Sequence, residues 1–285
     1  MSSPTAILLV HCPDQPGLVR CVADFIYENG GNIVHLDQHT DAEAGVFFMR
    51  VEWQLEGFRI PREDLGRVFQ YVAEPRKMKW SLHFSDEKHR LALFVSKEPH
   101  CLYDLLARAD SGELGAEISL VVSNHEILRP IVERMGIPFH YLPVTPANKA
   151  DQESQQMALL AQHQIHTVVL ARYMQILSDT FATAYRNRII NIHHSFLPAF
   201  PGARPYHSAH RRGVKIIGAT SHYVTADLDE GPIIEQETAR VTHAMSPDDL
   251  IAAGRDIESR VLARAVKLHL ESRVMLNGKK TVVFG

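Results

Sequence analysis

The sequence predicts an α/β protein built in two parts, and two observations carry that expectation. As far as Phe84, apolar runs of strand length alternate with segments of helical periodicity in the order βαββαβ. Beyond them, short continuous apolar runs recur between helical segments, the pattern of a doubly wound, mostly parallel sheet covered on both faces.

The first part opens with the apolar strand Ala6–His11 and the turn Asp14-Gln-Pro-Gly17. Leu18, Val22, Phe25 and Ile26 follow at helical spacing, and Asn29-Gly30-Gly31 stops the helix. Asn32–Thr40 and Val46–Trp53 read as strands joined by the polar turn Asp41–Gly45. Pro61 opens a second helix with Leu65, Val68, Phe69 and Val72 inward, and Lys79–Phe84 closes the sheet. This order is ferredoxin-like. The expected boundaries are residues 1–84 and 85–285, with Ser85–Arg90 as the linker.

In the second part Leu91–Val95, Ile118–Val122, Phe139–Leu142, Val168–Leu170 and Arg188–Ile192 are the strand candidates. Lys215–Val224 and Ile233–Thr242 are longer and bend around Asp229-Glu-Gly-Pro232. Ser246-Pro247-Asp-Asp249 starts a helix that runs to about Glu271: a capping Ser, Pro at the first position, acids in the first turn.

Composition narrows the function. The chain has 285 residues, 45% apolar and 22% charged, with a formal net charge of −3. That excludes a disordered or collagenous chain and gives no basic surplus for nucleic acid or an anionic membrane. The apolar run near the start is too short for a secretory signal, and no stretch approaches the ~20 apolar residues of a membrane span. Cys12, Cys21 and Cys101 form no C-x-x-C pair, which fits a reduced cytoplasmic compartment. P-loop, dinucleotide, G-x-S-x-G and H-E-x-x-H motifs are missing. Adjacent His193 and His194 on an extended segment would point to opposite sides, and no metal site is expected.

The informative stretch is Asn191-Ile-His193-His194-Ser195-Phe-Leu-Pro198-Ala-Phe-Pro201-Gly202 at the carboxyl end of a strand, where open parallel sheets bind ligands. Asn191 offers an amide donor for a developing oxyanion, and His193, two residues on, points to the same side as a candidate acid or base. A second stretch, His222 to Glu235, holds Asp227, Asp229 and Glu230 beside a Gly-Pro turn. Spacing alone does not choose among these acids, although alternation along an extended segment would aim Asp229 and Glu230 to opposite sides.

Asn191-x-His193-x-Ser195-x-Leu197-Pro198, followed by Asp229-x-Gly231-Pro232, resembles the folate-dependent formyltransferase family over roughly residues 88–285. The resemblance implies a Rossmann-like sheet and a catalytic trio of Asn191, His193 and Asp229. It also implies folate-ring contacts from Met174, Gln175, Ile176, Leu177, Ala226 and Asp227. His194, Ser195, His222, Lys97 and His100 are secondary candidates. The first part resembles an ACT domain through Cys12-Pro-Asp14-x-Pro-Gly17-Leu18 and Gly30-Gly31-Asn32-Ile33. That implies a small amino-acid effector held by Asp14, Gly17, Leu18, Asn32 and Ile33, and a homo-oligomer, dimer or tetramer, because such a sheet leaves an edge and a face open.

An ACT domain ahead of this catalytic domain resembles the deformylase branch of the family, which hydrolyses N10-formyltetrahydrofolate to formate and tetrahydrofolate, supplying one-carbon metabolism and purine biosynthesis. The glycinamide ribonucleotide transformylase branch has a glycine-rich phosphate loop where this chain has Ser96-Lys97-Glu98-Pro99-His100-Cys101, and Pro where it has His194. Formyl transfer to an amine is therefore the nearest alternative, and a non-catalytic amino-acid and folate sensor the next. The resemblance implies folate as substrate and no further cofactor.

Overall fold

The computed structural model describes residues 3–197 and 205–285, so Pro198, Pro201 and Gly202 of the motif lie outside the described residues. The chain divides into two compact units, residues 1–87 with 271–285, and residues 88–270.

In the first unit β1 (Thr5–Pro13), α1 (Leu18–Glu28), β2 (Ile33–Asp41), β3 (Val46–Gln54), α2 (Arg62–Ala73) and β4 (Lys79–Phe84) follow the expected order. The strands form an antiparallel sheet in the order β2-β3-β1-β4. Alternation sorts the residues. Ala6, Leu8 and Val10 of β1 and Phe47, Met49, Val51 and Trp53 of β3 face α1 and α2 in one core with Val22, Ile26, Leu65 and Phe69. Gly31 is required where the helix turns back, because a Cβ there would lie 2.6 Å from Ile26 Cγ2.

The second unit contains β5 (His89–Val95), α3 (His100–Asp110), β6 (Ala116–Ser123), α4 (Arg129–Arg134), β7 (Phe139–Tyr141), α5 (Lys149–Gln162), β8 (Thr167–Ala171), α6 (Asp179–Ala184), β9 (Ile189–His193), α7 (Pro205–Arg212), β10 (Ile216–Tyr223), β11 (Ile233–Arg240) and α8 (Pro247–Leu270). The seven-stranded sheet has the order β11-β10-β9-β8-β5-β6-β7. β5 to β9 are parallel, and β10 and β11 are antiparallel additions at one edge. The chain moves outward from β5 through β6 and β7, then restarts on the other side at β8. That reversal is a topological switch point. At the start of α8, Ser246 Oγ accepts from Asp249 N while Asp249 Oδ2 accepts from Ser246 N, a reciprocal cap.

The sequence reading places the C-terminal residues in the second domain, but they pack with the first unit. β12 (Val274–Asn277) and β13 (Lys280–Val283) form a hairpin. Its Met275 and the following Phe284 bury Leu9 and Phe48, which lie on the sheet face opposite the helices. Arg50, on that same face, donates to the carbonyls of Ser272 and Glu271 and pairs with Glu52. The face that the sequence leaves open to association is thus covered, at these positions, by the chain itself. Phe284→Ala removes a ring that is 2% exposed. It is expected to cost the first unit roughly 3 kcal/mol, the low end for a buried Phe because the residue sits near a terminus. Hydrogen exchange at the β1 and β3 amides checks this, and unchanged protection would show that the hairpin is not structural.

Candidate active site

The parallel strands bring polar groups to one edge of the sheet. Ser96 follows β5, Asn124 follows β6, Arg172 follows β8, and β9 carries Asn191 and His193. Ser96 Oγ donates to Asn124 Oδ1 at 2.6 Å and accepts from Met174 N at 3.0 Å. These bonds fix the start of segment 174–177. Its other end is tied by Ser178, whose N–H donates to the buried carboxylate of Glu153. Met174 and Ile176 are 58% and 60% exposed, and Leu228 across the β10–β11 connection is 60% exposed. Ala226 and Asp227 are exposed, whereas Gln175 and Leu177 are half-buried.

The geometry of the candidate trio follows from register. β10 pairs antiparallel with β9, setting Thr220 opposite His193 and His222 opposite Asn191. With a side-chain period of two, all four lie on one face. Asn191 Nδ2 is 3.2 Å from His222 Nε2. Beyond β10 the chain turns back. Asp229 takes a left-handed φ of 57°, which Asp tolerates. Gly231 passes so close to the Tyr223 carbonyl that a Cβ there would lie 1.7 Å from it. The turn sets Asp229 Oδ2 3.2 Å from His193 Nδ1 and Oδ1 3.5 Å from His222 Nε2. The segment at Asp229 is a tight turn rather than extended chain, so this turn, and not alternation, aims the carboxylate. Hydrogen bonds from His193 and then His222 hold Asp229 well below the ordinary carboxylate range, against a smaller opposing effect of burial.

His222 is buried, and its Nδ1 lies 2.9 Å from the Tyr223 carbonyl, an obligate acceptor. That nitrogen therefore carries a proton. Its Nε2 then either accepts from Asn191 as a neutral ring or donates to Asp229 as a cation.

His193 and His194 are not opposed. β9 ends at His193 and the chain bends at His194, so the rings stack with centroids 5.1 Å apart and planes 18° apart. His194 Nδ1 lies 2.7 Å from Arg172 Nη1. Arg172 Nε is 3.3 Å from Oε2 of Glu258, which is 1% exposed on α8. Glu258 also takes hydrogen bonds from Tyr206 Oη at 2.7 Å and from His100 Nε2 at 2.8 Å. Burial opposes its ionisation, but a hydrogen bond from His100, the charge of Arg172 and a hydrogen bond from Tyr206 outweigh burial and hold its carboxyl below the usual range. Gly254, one turn earlier, admits Tyr206, because a Cβ there would lie 2.2 Å from its ring. His100, a secondary candidate in the sequence, is thus committed to Glu258, while Lys97, another, is exposed.

Among the described residues, His100, Cys101 and Glu258 form the group close enough to share an ion. The guanidinium beside Glu258 opposes a cation there, and burial pushes the Cys101 thiol up, disfavouring the thiolate a metal needs. Ser195 Oγ is buried without a hydrogen-bond partner among the described residues, and its carbonyl accepts from Thr220 Oγ1.

Residues 89–266 match the formyl transferase family, and residues 6–52 match the ACT domain. A formyltetrahydrofolate deformylase of Synechocystis sp. is 58% identical over 100% of both chains. One from Bacillus subtilis is 54% identical over 97% of this chain and 93% of its own. The crystal structure of a Pseudomonas syringae pv. tomato formyltetrahydrofolate deformylase superposes with a TM-score of 0.97 at 44% identity, covering 100% of this chain and 96% of that one.

The chain belongs to the formyltetrahydrofolate deformylase family.

Within that family likeness, Arg172, Tyr206 and Glu258 are the site residues that sequence reasoning missed. A signal for Glu258 was present: it follows Gly254 and Ile257 and precedes Val261 on the inward face of α8, where an unpaired acid has no reason to sit.

Asp229 has a folded pKa below its unfolded value of about 3.9, so the stability it contributes is present above that value and is lost as pH falls through the lower folded one. Thermal melts of wild type and Asp229→Asn should therefore differ from neutral pH down to about 5 and converge only below about 4. A gap that closes between pH 7 and 5 would contradict this ionisation.

Proposed function

We infer that the chain hydrolyses N10-formyltetrahydrofolate to formate and tetrahydrofolate, with Asn191, His193 and Asp229 as its catalytic residues. The observation that carries this reading is the clasp of His193 by Asp229 beside the Asn191 amide, in a chain alike over its full length to deformylases.

Water adds its oxygen to the formyl carbon and gives up a proton, and negative charge gathers on the former carbonyl oxygen. The Asn191 amide has two N–H donors. One reaches His222 when that ring is neutral, and the other remains for the oxyanion. His193 commits Nδ1 to Asp229, leaving Nε2 for the reacting atoms. It moves the water's proton toward N10, an arylamine of low basicity that must be protonated to leave. The C–N10 bond then breaks, releasing tetrahydrofolate and formic acid, which ionises. A carboxylate with so little proton affinity is a weak base toward water, so the weight of Asp229 falls on supporting the His193 cation. The exposed Met174, Ile176 and Leu228 give a flat ring apolar contacts, and segment 174–177 with the 226–229 turn would hold it.

Transfer to an amine stands as the second reading only through the shared trio; the full-length likeness, ACT unit included, favours hydrolysis. In the first unit, Asp14, Gly17 and Asn32 are exposed and fit an effector site, and Ile33 is half-buried. Leu18 lies in the core, where it supports the turn rather than touching a ligand. An oligomer remains our reading, resting now on the edge strand β2 with its exposed Val34 and Leu36. No helix among the described residues is long and apolar enough to cross a membrane. A cytoplasmic enzyme fits that and the free cysteines.

Incubation with N10-formyltetrahydrofolate and no acceptor should release formate. His193→Ala and Asn191→Ala should each lower kcat more than about tenfold with folate still bound, and Asp229→Asn by ~10²–10⁴. Asp227→Asn and Glu230→Gln should fall far less. No formate from wild type would remove the hydrolase reading, and an Asp229→Asn variant more active than the other two acid variants would remove the trio.

A further inference from the structure

His193 needs a fixed ring, yet its hydrogen bond to Asp229 restrains only one edge. The ring face is held by something else. His194 stacks on it, and His194 is itself held: Arg172 can only donate, so His194 Nδ1 accepts and its proton sits on Nε2. Arg172 is in turn held by Glu258, which is fixed by Tyr206 and His100. The chain of contacts thus runs from α8 to the face of His193.

We propose that His194, anchored through Arg172 to Glu258, is the positioning residue for His193. The proposal rests on the hydrolase reading above and adds a residue to it. It explains why a buried acid, arginine and tyrosine gather beside the site without touching the trio.

The charges agree. Arg172 beside the site would oppose a cation on His193, and Glu258 cancels that charge while leaving Asp229 as the anion His193 meets directly. The charged and titratable groups facing His194 are Arg172 after β8, His193 on β9, Asp229 from the β10–β11 turn and Glu258 on α8. Burial first, then Arg172 and His193, push its pKa down to about 4, so the ring stays neutral through the working range and its tautomer does not change.

The first test uses the wild-type protein with 15N-labelled histidine. His194 should show a neutral ring with the proton on Nε2 from pH 5 to 8. A ring that titrates in that range, or carries its proton on Nδ1, overturns the proposal whatever the activity. The second test is kinetic. His194→Ala should lower kcat about 10- to 100-fold with KM within about twofold, because a mispositioned His193 is felt in the transition state. His194→Phe, which restores a stacking ring, should recover part of that loss. Wild-type kcat in His194→Ala, or an equal loss through KM that marks a substrate contact, overturns it. Should wild type release no formate, the hydrolase reading fails, while the histidine tautomer still decides the anchor.

Discussion

Antiparallel pairing of β10 with β9 is the constraint on which the site depends. A wholly parallel sheet would leave the end of β9 facing solvent with Asn191 and His193 alone. Pairing in the register that sets His222 opposite Asn191 brings a third polar group alongside, and it makes the chain leave β10 at Tyr223, opposite Ile190, so that Asp229 must come back toward His193. The return then needs a sharp turn. Left-handed backbone at Asp229 and a residue without Cβ at Gly231 supply it, and the carboxylate arrives over the imidazole. A one-residue slip of β10 would turn His222 to the other face and carry the turn away from His193.

Much of this is legible in the sequence alone. The strand and helix order in both units follows from apolar periodicity, because parallel strands buried on both faces are continuous apolar runs and amphipathic helices are not. The polar cluster at the end of β9 was legible for the same reason: it interrupts such a run where ligands bind. The C-terminal hairpin was not. Its strands are short and half-buried, and Met275 and Phe284 find their partners at Leu9 and Phe48, at the other end of the sequence. No local pattern reports such a contact. Nor was the stacking of His193 on His194, since alternation holds only while the strand continues, and here it stops between them.

The buried acid on α8 failed to stand out because helical periodicity counts apolar residues and passes over the exception. Yet the exception is costly. Burying a carboxylate and a guanidinium removes both from water, and a buried ion pair is on balance weak evidence for stability, since apolar groups of similar volume often serve as well or better. Structural economy therefore does not account for Glu258, Arg172, Tyr206 and His100 converging beneath one sheet edge. What an apolar cluster could not supply is direction. Glu258 accepts from Tyr206 and His100 and pairs by charge with the Nε side of Arg172, whose Nη1 lies at His194 Nδ1. The two networks, Asp229 with His222 on one side and Glu258 with Arg172 on the other, approach His193 from its edge and from its face. In the proposed mechanism this imidazole turns a proton from water to a leaving nitrogen, and it then needs both restraints, because the edge bond alone leaves rotation about that bond free and the stack alone leaves rotation within the ring plane free.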